Sequence, residues 1–333
     1  MADDEDHKQL MLSYSVAIRT LGTAGEVFRE ELLSIGRQTV PPERVMVYIA
    51  EGYPRPDFQV GNEEYRWVRK GMMTQRMLPY DEIASDCILM LDDDVCLAPD
   101  SAEKLLSSLE EDRADCVGAD VFRPQRMRPG TKLYAAAVNL VFPHCSRTWA
   151  FRMHRNGSFS YLARPERDYY RSQTCGGPCS MWRKESFLRL HPEDELWLDG
   201  LGFPYGEDAL VSYKLHRNGG KLGIRYDSGV ENRDARSSSD RYRRDPDRFR
   251  IRSQALLMVW WRSLYRNGAD TPRSRLLTGT AFALKACWLT IVMAVSALVL
   301  LKPKVFSAHL RGLRGGWKAV HADSFRGLRP YIF

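Results

Sequence analysis

The sequence predicts an α/β protein, a mostly parallel sheet flanked by helices, followed by a helical, hydrophobic C-terminal extension. Three observations predict it. Short apolar runs recur through the first third of the chain (Tyr14 to Ile18, Val45 to Ala50, Cys87 to Leu91, Cys116 to Val121), helical patterns lie between some of them, and the most hydrophobic stretch of all, Leu276 to Leu301, stands near the end. Strands of a parallel sheet are covered by helices on both faces and so read as near-continuous apolar runs rather than as an alternation. With 333 residues, 44% hydrophobic and 11% aromatic, the chain can bury an enzyme-sized core, and its composition excludes wholesale disorder.

Taken in order, Tyr14 to Ile18 reads as the first strand. Thr23 and Glu26 have the spacing of a capping box and open a helix with Phe28, Leu32 and Ile35 on one face. Pro41 and Pro42 break the chain, Val45 to Ala50 forms the next strand, and Glu51-Gly52 leads into a Pro-rich loop. Tyr65 to Val68, Cys87 to Leu91 and Cys116 to Val121 continue the series, with a helix opening at Asp100 and Glu103 between the last two. From Arg123 to Arg171 the pattern is irregular and rich in Arg and aromatic residues. Glu207 to Asn218 reads as a helix ended by Gly219, and Lys221 to Tyr226 as a strand. Arg233 to Arg252 holds eight Arg relieved by four Asp; its first half reads as a mobile basic loop, and Asp245-Pro246 caps a helix carrying Phe249, Leu256, Val259 and Trp260 that ends near Gly268.

The net charge of +7 suits an anionic partner: nucleic acid, a phosphorylated substrate or an anionic membrane leaflet. Nucleic acid is disfavoured, because the Arg-rich stretch is interleaved with Asp and no nucleic-acid motif is present. The chain opens on an acidic, polar stretch unlike a signal peptide, so residues 1–12 are expected to be a disordered tail. Seven scattered cysteines fit a reducing compartment, and Cys175 and Cys179 frame a turn without the second pair a zinc tetrad needs. Ala286 to Leu301 is sixteen residues free of charge, short of the roughly 20 that cross a bilayer, though residues before Lys285 would make up the length. Basic residues flank both ends and set no orientation. An in-plane or partly inserted helix is favoured over a full span.

Two acidic features carry potential chemistry. Asp92-Asp93-Asp94 follows an apolar strand at the sheet edge where α/β ligands bind, and three crowded carboxylates call for a cation; a solvated acidic turn is the plainer alternative. Glu207-Asp208 stands at a helix start, where it can serve the helix dipole or, facing a bound substrate, act as a general base.

The order of these pieces resembles the family 2 glycosyltransferases. The resemblance runs from Ser15-Val-Ala-Ile-Arg-Thr20, through Arg37 to Pro42, Val45 to Gly52 and Leu89-Met-Leu-Asp-Asp-Asp-Val95, to Cys175-Gly-Gly-Pro-Cys-Ser-Met-Trp-Arg-Lys184 and Tyr205-Gly-Glu-Asp208. It implies a GT-A, Rossmann-like catalytic domain over 13–240, with a membrane-associating helical extension over 245–333. Asp92 and Asp94 match the family's Asp-x-Asp motif, which holds Mn2+ or Mg2+ against the donor diphosphate, with Asp93 among the donor-binding residues. Asp208 matches the catalytic base of an inverting transfer, with Glu207 beside it. Thr20, Glu51 and Arg76 fall where the family lines its nucleotide pocket, and Gly176 and Gly177 allow close approach of donor or acceptor. Two departures stand out: Ala50-Glu51 replaces the family's usual acidic pair, and Asn232 stands where a metal-binding His is often found. The resemblance implies a nucleotide-diphospho-sugar donor, a glycan or lipid-linked acceptor shaped by the Arg123 to Arg171 region, and work at the cytoplasmic side of the cell membrane in surface polysaccharide synthesis. An inactive nucleotide- or glycan-binding family member is the alternative. A nucleotidyltransferase would need a glycine-rich phosphate loop, which Ile18-Arg19-Thr20-Leu21-Gly22 is not.

Overall fold

The computed structural model describes residues 12–121, 133, 136–140, 144–162, 164–203, 205–233 and 245–331. The expected acidic tail through residue 11, part of the region between 122 and 143, and the Arg-rich run 234–244 lie outside the described residues.

The strands in chain order are β1 (Tyr14–Thr20), β2 (Val45–Ala50), β3 (Glu64–Val68), β4 (Cys87–Asp92), β5 (Val95–Cys96), β6 (Cys116–Ala119), β7 (Cys145–Ser146), β8 (Phe151–Met153), β9 (Phe159–Leu162), β10 (Tyr169–Ser172), β11 (Cys179–Arg183), β12 (Leu222–Arg225) and β13 (Glu231–Asn232). Eight of them form one sheet in the order β10-β12-β6-β11-β4-β1-β2-β3. β3, β2, β1 and β4 run parallel, as the apolar runs predict. β11 runs antiparallel between β4 and β6, and β10 antiparallel to β12, so the far half of the sheet is mixed. The reason is local: the chain enters β11 from the Cys175–Pro178 turn, whose Pro178 carbonyl accepts the Asp92 amide at 3.0 Å, with no crossover helix to reverse its direction.

Both faces of the sheet are covered. Val16 and Ile18 of β1 and Leu89 and Leu91 of β4 pack under α1 (Glu26–Ile35) and α2 (Ser101–Glu111), while Ala17, Ile88 and Met90 face the opposite core with Tyr80, Trp182 and Phe187. That opposite core is closed by α3 (Lys184–Leu188), a 3-10 helix (Pro192–Leu201) and α4 (Glu207–Arg217). The capping box does not form. α1 starts at Glu26 behind Gly25, whose φ of 59° swings the chain so that Thr23 does not stand at the cap. Asp100 likewise precedes α2 without capping it, because its carboxylate pairs with Lys104 at 2.9 Å.

The C-terminal helices are α5 (Pro246–Trp260), which continues as a π turn over Trp261–Arg266, α6 (Pro272–Val299), α7 (Pro303–Val320) and α8 (Asp323–Arg326). Asp245 caps α5 as expected, accepting the Asp247 amide at 2.9 Å. α7 lies directly on α5: a Cβ at Gly312 would fall 2.2 Å from the Arg250 carbonyl oxygen. These helices are locked to the body built on the eight-stranded sheet by a buried cluster. Arg262 donates to Glu195 at 2.7 Å, Lys214 of α4 lies 3.7 Å from the same carboxylate, and all three side chains are fully buried. Tyr331 closes over them, with its ring 4.8 Å from the Arg262 guanidinium.

Candidate active site

The parallel register sets Arg19 of β1 beside Asp92 of β4 at the sheet's ligand-binding edge. Arg19 grips Asp92 with two nitrogens, Nε at 2.6 Å and Nη2 at 3.1 Å, and donates a third bond to the Met72 carbonyl at 3.0 Å. Arg76 reaches the same carboxylate at 2.5 Å and the Gly177 carbonyl at 2.6 Å. Burial alone would raise the Asp92 carboxyl; the charges and hydrogen bonds of Arg19 and Arg76 outweigh it and hold it below the ordinary carboxylate range. Asp93 accepts the Thr20 hydroxyl at 2.5 Å, yet burial, reinforced by Asp92 and Asp94, pushes it up to about 6.

Opposite stands the start of α4. Gly206, at φ 82°, turns the chain into the helix and presents Glu207 and Asp208. Asp208 accepts the Gly177 amide at 3.1 Å and the Ala209 amide at 2.9 Å, so it does serve the helix start while facing the cleft. Glu207 lies 3.7 Å from Arg19, which thereby bridges the two acidic groups. Burial, and for Glu207 the neighbouring Asp208 charge, raise both carboxyls above their ordinary values, against the pull of Arg19 and Arg76. A small solvent-open cavity lies between, lined among others by Arg76, Gly176, Gly177, Glu207, Asp208 and Trp182.

The supports are specific. Asp199 accepts the Met73 and Thr74 amides and the Thr74 hydroxyl, each at 2.9 Å, capping the turn that leads to Arg76. Gln75 ties that turn to the ends of β1 and β2 through the Thr20 and Tyr48 carbonyls, at 2.9 and 3.0 Å. A Cβ at Gly177 would meet Arg76 Nη1 at 2.9 Å, so any side chain there would displace the Arg76 guanidinium. Cys175 and Cys179, which frame the turn, are buried, and Cys175 Sγ sits 3.6 Å from Cys116 Sγ.

Over residues 45–248, more than half of the chain, the sequence matches the family model "Glycosyltransferase like family 2". The chain belongs to glycosyltransferase family 2. Its fold is the GT-A type, an α/β sheet flanked by helices with an apolar helix in the C-terminal extension. Among solved structures it resembles that of GalNAc-T7 with UDP, GalNAc and Mn2+, at 16% identity and a TM-score of 0.49, over 83% of this chain and 54% of the other. The chain thus spans about half the length of that structure, a likeness too distant to carry an argument. No curated protein matches the sequence.

In this family 2 member, Thr20, Arg76, Asp92, Asp93, Gly177, Glu207 and Asp208 are joined by the contacts above, and Gly176 lines the same cavity. Asp94 lies one step further out, its carbonyl accepting the Arg233 amide at 2.7 Å, and Asn232 pairs with Val95 in the two-residue β13–β5 ladder beside it. Glu51 lies apart: it is exposed past the end of β2, and its amide donates to the Val68 carbonyl at 2.8 Å. Sequence reasoning missed Arg19, although an Arg inside an otherwise buried apolar strand was a signal. It also missed Glu31, fully buried on the core face of α1 between Phe28 and Leu32, which burial and the charges of Asp93 and Asp94 raise well above its ordinary value.

Among the described residues no three His, Cys, Asp or Glu converge to hold a metal ion. Asp92, expected as a ligand, has both oxygens engaged by arginine. A hard divalent cation keeps few protein ligands and takes the rest of its shell from substrate phosphates, and a carboxylate such as Asp94 is of the type it takes.

Proposed function

We propose that the chain is an inverting glycosyltransferase that moves a sugar from a nucleotide-diphospho-sugar to a hydroxyl of a glycan or lipid-linked acceptor in surface polysaccharide synthesis, at the cytoplasmic side of the cell membrane. The observation that carries the catalytic part is the convergence of Asp208, raised by burial and held by the Gly177 amide, with the Arg19–Asp92–Arg76 cluster across one cavity. Asp208 takes the proton from the acceptor hydroxyl as that oxygen attacks the anomeric carbon. The bond from that carbon to the diphosphate oxygen breaks on the opposite face, and the nucleoside diphosphate leaves with the electron pair. Arg19 and Arg76, already gathered on an anionic carboxylate, stand ready to share charge with the diphosphate. Thr20, Asp92 and Asp93 contribute to the nucleotide side, with Glu51 at its rim, and Gly176 and Gly177 leave room for the sugar. Asp94, with Asp92, would hold Mn2+ or Mg2+ against the diphosphate, and that ion would supply Lewis-acid neutralisation of the leaving group.

The membrane part is supported by the acceptor side. Tyr161 of β9 is close enough to Asp208 to feel its charge, and the adjoining Gly157 packs on Trp260, which stacks on Phe282 of the apolar α6 at 3.9 Å. The turn at Gly157, which leads into β9 and Tyr161, thus packs through Trp260 on the apolar helix, and this supports an acceptor that comes from the lipid side. The test is binding and turnover of a panel of nucleotide sugars, with and without manganese, in wild type and Asp94→Ala. One donor bound with metal, and bound weakly or not at all by Asp94→Ala, supports the reading. No donor bound under any condition turns it to the inactive-binder alternative.

A further inference from the structure

α6 is the one helix among the described residues long and apolar enough to cross a membrane. It rises about 42 Å at 1.5 Å per residue, more than a bilayer core needs. Its two faces differ. One carries Thr278, Phe282, Lys285, Val292, Met293 and Ala297 against the protein. The sequence's single interrupting charge, Lys285, is therefore turned inward. The other face carries Leu276, Leu284, Ile291, Val295 and Leu298, between 54% and 75% exposed, at helical spacing and with no charge among them. Leu301, in the turn to α7, is 86% exposed.

Both ends of this helix are fastened to the same side of the molecule. Before it, Asp270 pairs with Arg217 of α4 at 2.9 Å. After it, α7 turns back and lies along α5, and Thr290 of α6 meets His309 of α7 at 3.1 Å. Beyond α7, the Tyr331 amide donates to Asn267 Oδ1 at 3.0 Å, so the chain leaving the α6–α7 hairpin is clasped to the chain entering it. Asp270 ahead of α6 is held on α4, and Thr290 in its second half is held through His309 to Ser253 of α5, so both halves of α6 lie along one folded body and its two ends do not stand on opposite sides of a bilayer.

The surroundings name the occupant. From Thr271 to Ala322 the sequence holds eight Lys and Arg and not one Asp or Glu. Arg273, Lys302 and Lys304 bracket the apolar face, and Arg311, Arg314 and Lys318 are exposed on the neighbouring α7 beside Trp317, itself 58% exposed. An apolar face with basic borders and an exposed Trp is the complement of an anionic lipid surface, whereas a second copy of this face would set like charges together.

We propose that α6 lies in the plane of an anionic membrane surface, with its exposed face sunk among the acyl chains, and does not cross it. The catalytic body is thereby held flat over the lipid with the acceptor-side strands next to the helix. This deepens the membrane contact proposed above and does not depend on the donor chemistry.

The test uses the full chain and vesicles of phosphatidylcholine alone or mixed with phosphatidylserine. A polarity-sensitive fluorophore is placed on Cys287, or on Thr280→Cys or Val295→Cys with Cys287→Ser, each in a Cys145→Ser background, and its depth is read with lipid-borne quenchers. The expected result is binding that needs phosphatidylserine, weakens with salt, and puts all three probes at one shallow depth. Leu284→Gln/Ile291→Gln/Val295→Gln should bind at least about ten-fold more weakly while keeping wild-type donor hydrolysis, which also shows that the variant is folded. Probe depth that increases steadily along the helix, or a concentration-dependent dimer that binds no vesicle, would overturn the proposal. Loss of donor hydrolysis in the wild type, with vesicle binding intact, would strike only the catalytic reading.

Discussion

Replacing Glu195 by Gln tests whether the C-terminal helices and the catalytic body form one folding unit. The carboxylate accepts from Arg262 Nη2 at 2.7 Å and Nε at 3.2 Å, lies 3.7 Å from Lys214, and takes the Trp197 indole N–H at 2.8 Å. Arg262, Glu195 and Lys214 are all fully buried, so removing the Glu195 charge leaves two buried cations beside Asp194, which lies 3.2 Å from Lys214. Breaking a buried pair from one side costs about 3–5 kcal/mol. With about 2.1 cal/mol/K of unfolding entropy per residue, ~4 kcal/mol lowers Tm by roughly 6 °C for a chain of this length. Burial already lowers the Lys214 ammonium below its ordinary range, against Glu195 and Asp194. In the variant it is lowered further, and a group with a depressed folded pKa is destabilised as pH falls through the gap between its folded and unfolded values. The deficit should therefore be larger at pH 7 than at pH 9. The assay is urea and thermal unfolding followed by tryptophan fluorescence, to which Trp197 contributes, and by circular dichroism. An unchanged Tm, or two separate transitions already present in the wild type, would refute the reasoning.

The pH dependence of turnover follows from the acidic pair. A general base works only when ionised, and Asp208 and Glu207 are both raised by burial, so kcat/KM should climb through a range above the ordinary carboxylate values and then level off. Glu207, pushed up to about 7 by burial and the Asp208 charge, is protonated while Asp208 titrates, so Glu207→Gln should leave that inflection in place; a rate that does not fall at the acid end would contradict the assignment. The same pair makes the free protein less stable as pH rises from the ordinary carboxylate range through the raised values, because the folded state holds its protons longer, and thermal unfolding across pH 4 to 8 reads this directly. Arg19→Met should weaken donor binding roughly 10- to 100-fold in calorimetric titration, the worth of a charged hydrogen bond of about 1.5–3 kcal/mol. Unchanged donor affinity would remove Arg19 from the diphosphate side.

Much of this was legible because burial on both faces writes itself into a strand. Val45 to Ala50 and Cys87 to Leu91 are apolar throughout since alternate residues enter two different cores. The antiparallel strands were not legible: Tyr169–Ser172 and Cys179–Arg183 are short and mix polar with aromatic residues, and their state is set by the strands they meet. At the site, Asp92 and Asp208 stood out as acids at element ends, but what surrounds them came from far away in sequence. Arg19 reaches Asp92 only through the β1–β4 register, and Arg262 reaches Glu195 across 67 positions, and neither spacing leaves a local pattern. Thr23 shows the opposite failure, a correct local motif overruled by the turn at Gly25.

The most direct test of the central claim is donor affinity and turnover of Asp208→Asn, measured side by side on whichever nucleotide sugar the panel selects. The account predicts a kcat lower by about 100- to 10,000-fold with donor Kd within a few-fold of wild type, as expected for a lost general base whose carboxamide still accepts the Gly177 amide. Unchanged kcat, or a loss of donor binding as large as the loss of rate, would contradict it.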